Sequence, residues 1–302
     1  MMSKGFITIA TGSEQYYRIA ANLVKSYRLF CNDPMPFAIA CDKEENKYTD
    51  LFDVVIKIEN PTNTYLDKLL LPDIVPFDEN IFIDADCIAY RDLNDFWNLF
   101  ETASDFSVFG SNYPLEYEYG WFRQHEVGVL SDKVSYIPDF IGGVYFLRKT
   151  EQLKAFSETC KYNYDTYHDY RFRQFTDPAD EPIYALAMAV HNERTIGINS
   201  PNVCFYPHAI LFETDIRNGI VKYTDKYRIN EGLITGAYMV HWGSGNTRRD
   251  RYKLEEYQLE QLTRGRRPAF VELRIMIVII WIKNMANKLL RKVCRLAFHS
   301  MK

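Results

Sequence analysis

The feature that most constrains this chain is an alternation in its first 110 residues, where short β-rich runs are separated by stretches of helical period. The runs are "FITIAT" (6–11), "FAIAC" (37–41), "VVIKI" (54–58), "NIFIDAD" (80–86) and "FSVFG" (106–110). Between the first two, Ile19, Leu23, Tyr27 and Phe30 recur at helical spacing, with Ser13 placed as N-cap. Between the third and fourth, "LDKLLLPDIV" predicts a second helix that Pro72 breaks or kinks. Such alternation predicts an α/β fold, a mostly parallel sheet with helices on its faces. Ligands of such sheets bind beyond the carboxyl ends of the strands. Both "ATGSE" and "DADC" fall at such ends.

The second half is less regular. Residues 111–141 are aromatic and show no period, which for a stretch this long points to a lid or an acceptor wall. "GGVYFLRKT" then resumes as a strand, "DEPIYALAMAVHN" as a helix, and "GAYMVHWGSGN" as a late strand entering a Gly-rich loop. With 302 residues, 47% of them hydrophobic, the chain can bury one large core, so one domain with an appendage is expected. The six cysteines are scattered without CxxC or paired metal spacing, and the N-terminus lacks a signal-peptide apolar segment. Reduced thiols in a cytosolic setting follow as the expectation.

The apolar run Ile81–Ile83 drives straight into two carboxylates, Asp84 and Asp86. Two aspartates at a strand end repel each other and resist desolvation unless something positive lies nearby. Their i, i+2 spacing lets them converge on one ion, and hard oxygen donors suit Mg²⁺ or Mn²⁺. His241 ends another apolar strand and offers an imidazole, which favours Mn²⁺. "GSGN" followed by Arg248 suits phosphates, through backbone N–H groups and a guanidinium fork. Taken singly, each feature also has a plain reading: a polar strand end, a structural histidine, a solvated loop, and for Lys68 an exposed helix charge.

In order along the chain, "TIATGSEQYY", "YLDKLLLPDIVPFDENIFIDADC", "DFIGGVYFL", "DPADEPIYAL" and "MVHWGSGN" resemble the motifs of glycosyltransferase family 8. These are retaining GT-A enzymes that include glycogenin and bacterial lipopolysaccharide galactosyltransferases. The resemblance covers about residues 5–250, and its most specific part is Lys68 placed sixteen residues before Asp84. It implies Asp84, Asp86 and His241 as Mn²⁺ (or Mg²⁺) ligands, and Lys68 as a contact to a UDP-sugar donor. It further implies Thr11 and Tyr16 at the uracil, Gly142 and Gly143 as small residues allowing close approach of the donor, and Asp180 on the donor-sugar hydroxyls. Asp177 also falls on a family aspartate. The chain departs from the pattern in three places: Glu181 stands where glutamine is usual, Ile141 where asparagine is frequent, and Arg248 where a phosphate-binding lysine is common. Glu181 is accordingly a candidate for stabilising the sugar cation or attacking it, with helix capping as the plain alternative.

Charge is polarised. From Arg264 onward ten basic residues face one acid, a surplus of +9, leaving −13 on the rest of a chain whose net charge is −4. In "IKNMANKLLRKVCRLAF", Ile282, Met285, Leu289, Val293 and Leu296 share one helical face with basic residues opposite. The expected organisation is a GT-A domain over 1–250 and a basic, apolar extension over 251–302. The extension would lie on an anionic membrane surface at the cytoplasmic, inner face, without spanning it and without binding nucleic acid. The expected activity is metal-dependent, retaining transfer of a hexose from a UDP-sugar to a saccharide or lipid-linked acceptor of the lipopolysaccharide type. A non-catalytic sugar-nucleotide-binding scaffold is the main rival. A sugar-nucleotide pyrophosphorylase is disfavoured because "ATGSEQYY" lacks the Gly-rich basic loop expected after its first strand.

Overall fold

A computed structural model describes residues 2–115, 134–170, 177–197, 203–269, 271–283 and 285–286. Most of the aromatic stretch 111–141, and the tail positions Leu289, Val293 and Leu296, lie outside the described residues.

The runs that alternate in sequence form a central sheet. Strands β1 (Lys4–Ala10), β2 (Phe37–Cys41), β3 (Val54–Lys57) and β4 (Glu79–Ile83) are mutually parallel, with β1 between β2 and β4. Both faces are buried, and successive side chains divide between them. Phe6, Ile81 and Ile83 enter one core with Leu23 and Tyr27 of helix α1 (Glu14–Phe30). Ile7 and Phe82 enter the other core with Ile183 and Tyr184, which belong to the later helix at 180–191. Ser13 does occupy the N-cap position of α1, yet its side chain makes no capping hydrogen bond.

Beyond β4 the direction changes. A short β5 (Cys87–Ala89) leaves the main sheet, helix α3 (Asp95–Leu99) follows α2 (Leu71–Ile74), and β6 (Phe106–Pro114) and β7 (Tyr136–Arg148) pair antiparallel. β7 also runs antiparallel to β4, with Ile83 opposite Val144. The supposedly irregular stretch 111–141 is therefore strand at both ends. Periodicity hides this because β6 and β7 shift register between Val108 and Gly110. The predicted helix over 66–75 is a 3₁₀ helix at Tyr65–Leu70 that becomes α only at Leu71, with Pro72 in its first turn, where its missing N–H is harmless.

Helices α4 (Glu151–Asp165) and α5 (Asp180–His191) cover the second face, and β8 (Ile196–Gly197) closes the sheet beside β6. A second sheet joins β9 (Val203–Phe205) and the strand Met239–His241 to β5. A third is the ribbon β10 (Ala209–Asp215), β11 (Ile220–Asp225) and β12 (Ile234–Thr235), after which Met239–His241 is β13. Helix α6 (Asp250–Thr263) packs on α1: Asn22 donates to Glu256 at 2.7 Å, Lys25 meets Glu260 at 2.8 Å, and Tyr252 and Leu259 join the core. The packed body thus continues past residue 250 through α6. Over 271–283 lies a further helix, α7, which buries Leu273 and Ile280 and exposes Ile275, Val278, Trp281 and Ile282. Among the described residues no helix is long and apolar enough to cross a membrane. All five described cysteines are free and buried.

Candidate active site

The carboxyl ends of β1 and β4, the start of α5 and the end of β13 enclose a cavity of about 450 Å³. This is the size and placement expected of a small-molecule site in an open α/β sheet. Thr11, Tyr16, Lys68, Asp84, Asp86, Gly142, Asp180, Glu181 and His241 all line it. Gly143, Asp177 and Arg248 are outside the lining. Gly143 lies behind His241, where a Cβ would come within 2.6 Å of Nδ1. Arg248 is exposed, and its Nε donates to Gln15 at 3.2 Å.

β4 stops at Ile83, so Asp84 and Asp86 stand in the turn before β5 rather than within a strand. The backbone N–H of Asp84 donates to Gly143 O of the neighbouring β7, and that of Cys87 closes the turn onto Asp84 O. β13 pairs antiparallel with β5, setting His241 opposite Cys87 and so beside both aspartates. His241 Nε2 lies 3.1 Å from Asp86 Oδ1 and 3.4 Å from Asp84 Oδ2.

Lys68 is held between carboxylates, 3.0 Å from Asp84 and 3.1 Å from Asp180. The plain reading of Lys68 as an exposed helix charge therefore fails. Burial works against its charge, but Asp180 and Asp84 outweigh burial and hold the ammonium well above its ordinary pKa. Tyr145 donates its hydroxyl to Asp180 Oδ2 at 3.0 Å, and Tyr184 donates to Lys68 O, fixing the pair from below. Burial raises Asp84; Asp86 is lowered because His241 outweighs burial there. His241 is raised in turn by Asp86, against its own desolvation. Glu181 accepts the Gly142 N–H, and its carboxyl is pushed up to about 7 by burial and by neighbouring Asp180. Ile141 lines the cavity with an exposed apolar surface.

The donor set fits a divalent cation. Asp86 Oδ1 is buried with the His241 imidazole beside it, so a carboxylate oxygen and a ring nitrogen face each other there and a cation between them would offset the cost of burying the charge. Its 3.1 Å approach to His241 Nε2 matches the roughly 3.0 Å between two donors at right angles on one ion with bonds of about 2.1 Å. Two carboxylate oxygens and an imidazole nitrogen suit Mn²⁺ and also Mg²⁺. Among the described residues the group whose donor atoms all lie within 4.8 Å of one another is Asp86, Cys87 and His241; Asp84 meets His241 at 3.4 Å but is not part of that group.

One organising residue escapes the sequence reading. Asp67 is buried and receives the Thr11 hydroxyl at 2.6 Å, the Thr62 N–H at 2.6 Å and the Asn63 N–H at 3.1 Å. It thereby ties the β1 loop to the segment carrying Lys68, and it commits the Thr11 proton inward. The available signal was Thr64-x-x-Asp67 ahead of an apolar run, a spacing close to that of a capping box.

This architecture is the GT-A glycosyltransferase fold. No family model matches the chain, and no curated protein matches it; the likeness is to solved structures. The galactosyltransferase LgtC, in complex with donor and acceptor sugar analogs, superposes with a TM-score of 0.52 at 13% identity, covering 90% of this chain and 99% of LgtC. GlyE of Streptococcus pneumoniae TIGR4 gives 0.51 at 12% identity, over 93% of this chain and 64% of its own. The bifunctional glycosyltransferase WbbM gives 0.51 at 9%, over 88% and 52%. These neighbours are of the family-8 type that the motif order resembles. At such identities the likeness is one of fold.

Proposed function

We propose that the chain is a metal-dependent retaining glycosyltransferase that moves a hexose from a UDP-sugar to a saccharide or lipid-linked acceptor. The observation that carries this reading is the convergence of Asp84, Asp86, His241, Lys68 and Asp180 on one cavity, with Asp86 Oδ1 buried against His241 Nε2. Asp84, Asp86 and His241 would hold Mn²⁺ or Mg²⁺. When bound, such an ion supplies Lewis-acid neutralisation of a diphosphate.

The chain's own residues do the rest. Lys68 keeps its proton and presents a fixed cation where negative charge grows on the departing diphosphate, the kind of preorganised electrostatics that contributes most to catalysis. Asp180, oriented by Tyr145 and Lys68, accepts from donor-sugar hydroxyls. Thr11 and Tyr16 border the base, with Thr11 offering its backbone since its hydroxyl is held by Asp67. Gly142 leaves room for the sugar beside Glu181. Glu181 stabilises the sugar cation or attacks it; near-wild-type turnover by Glu181→Gln would remove the nucleophilic role. Arg248 and Asp177, outside the cavity lining, serve the phosphate and the sugar only if their loops close over the donor.

The extension, with α7 exposing Ile275, Val278, Trp281 and Ile282 and a +9 surplus beyond Arg264, docks on an anionic, cytoplasmic membrane face, as suits an acceptor of the lipopolysaccharide type.

The deciding experiment is UDP release from a panel of UDP-hexoses, with Mn²⁺ or EDTA, for wild type and Asp86→Ala. Metal-dependent turnover of one donor, abolished by the substitution, supports the transferase and identifies its sugar. Absence of both turnover and metal-dependent UDP binding overturns the site and favours a scaffold.

A further inference from the structure

A row of rings leads out of the cavity. His241 packs on Phe205 with centroids 5.0 Å apart, Phe205 on His208 at 4.6 Å, and His208 on Tyr227 at 4.6 Å. Phe205 lines the cavity, whereas Tyr227 is 70% exposed. The turn Tyr206–His208 that carries this row stands over the Gly243–Ser244 rim, with Pro207 Cγ 3.4 Å from where a Gly243 Cβ would lie. Tyr206 points the other way and packs on Trp242 and Phe212, which fixes the turn from beneath.

The row ends beside a bulge. Between the pairs Ala209–Asp225 and Phe212–Tyr223, two residues of β10 oppose one of β11. Alternation would bury one of Ile210 and Leu211; the bulge instead leaves both exposed, at 62% and 64%. These two adjacent aliphatic side chains form a small apolar patch held out to water at the outer end of the ring row. Their chemistry selects the occupant. Ring faces carry the apolar faces of pyranoses, but Ile210 and Leu211 offer a sugar no hydrogen bond and match only hydrocarbon.

We propose that this strip is the acceptor platform: the acceptor is an amphiphile whose saccharide crosses Phe205, His208 and Tyr227 and whose alkyl chain lies on Ile210 and Leu211. The proposal rests on the transferase reading, and it names the acceptor class. It places the hydrocarbon on the body of the protein, at the outer end of the ring row that starts at Phe205, rather than on α7.

The test is calorimetric titration of the full chain with octyl β-D-glucopyranoside below its micelle concentration and with methyl β-D-glucopyranoside. Neither titration needs donor or turnover, so failure here is distinct from failure of the UDP-release assay. Burial of two methylenes gives the octyl compound an advantage of about tenfold or more in Kd. In Ile210→Ser/Leu211→Ser, whose substituted positions are solvent-exposed, that advantage falls below about twofold while the methyl glycoside binds as before. Tyr227→Ala weakens both compounds by the same factor. Equal affinity of the two probes, absence of binding by either, or an octyl advantage that survives the double substitution overturns the proposal; the last outcome would assign the chain to α7.

Discussion

Gly143→Ala tests how tightly the proposed metal ligands are held, and its effect can be worked from distances. Gly143 is not in the left-handed region, so alanine costs nothing in backbone conformation. The new Cβ, however, would lie 2.6 Å from His241 Nδ1 and 3.0 Å from Cε1, where ordinary contact begins at 3.4 Å. The imidazole must retreat by about 0.8 Å. It is 8% exposed, with the Phe205 ring 5.0 Å from it, so little free volume receives it. A ring moved this far takes Nε2 out of register with Asp86 Oδ1. Ligand-shell disturbances of this kind cost about 10- to 100-fold in metal affinity, and a misplacement near 1 Å costs about a hundredfold in rate. Overpacking also costs about 1–3 kcal/mol of stability, so the assay pairs urea unfolding with Mn²⁺ titration of the folded variant. Mn²⁺ affinity and turnover within twofold of wild type, in a variant that folds, would refute the placement of His241 in the ligand set.

Two other substitutions follow from the charges. Lys68→Met leaves Asp84 and Asp180 buried without their cation, which should cost about 3–5 kcal/mol of unfolding free energy in EDTA and clearly less in Mn²⁺; urea melts in the two buffers check this, and equal losses would contradict it. Glu255 is buried, accepts from Thr214 and has its carboxyl pushed up to about 7 by burial, from 4.5. Between these values the unfolded chain releases its proton first, so stability falls as pH rises through 7, by up to about 3 kcal/mol. Glu255→Gln should remove that slope and be the more stable protein at pH 8; parallel stability–pH curves for the two proteins would rule the assignment out.

Much of this is legible in the sequence. An apolar run broken by Asp84 and Asp86, and another ending at His241, announce polar groups at strand ends, because a buried strand tolerates carboxylates only where it stops. The direction of β7 was not readable, since a period of two is the same for parallel and antiparallel strands. Nor was the β10–β11 ribbon read, although Asn218-Gly219 between two β-rich runs is a hairpin signal, with Gly219 at φ +64°. Taken singly, without the motif order, Lys68 reads as a surface charge, because its partners stand in the turn after β4 and at the start of α5, the second of them far away in sequence. What no local pattern encodes is which distant carboxylates a lysine will meet.

The site's charge balance also dictates an order of binding under the proposed function. Asp84, Asp86, Asp180 and Glu181 share one cavity with Lys68 and His241, and even with His241 protonated and Glu181 pushed up to about 7 by burial the excess remains negative. Like charges about 4 Å apart at an effective dielectric near 20 repel by about 4 kcal/mol per pair, so a diphosphate cannot approach Asp84 and Asp86 until they are neutralised. Metal must therefore bind first, and UDP affinity in EDTA should be lower by at least about a hundredfold than in Mn²⁺, an estimate smaller than one such repulsion. The discriminating variant is Asp84→Asn/Asp86→Asn. If the two carboxylates act only as ligands to a cation, it should bind UDP in EDTA more tightly than wild type while gaining nothing from Mn²⁺. A double variant that loses UDP affinity in EDTA as well would mean that these side chains hold the nucleotide directly, and the ordered scheme would fail.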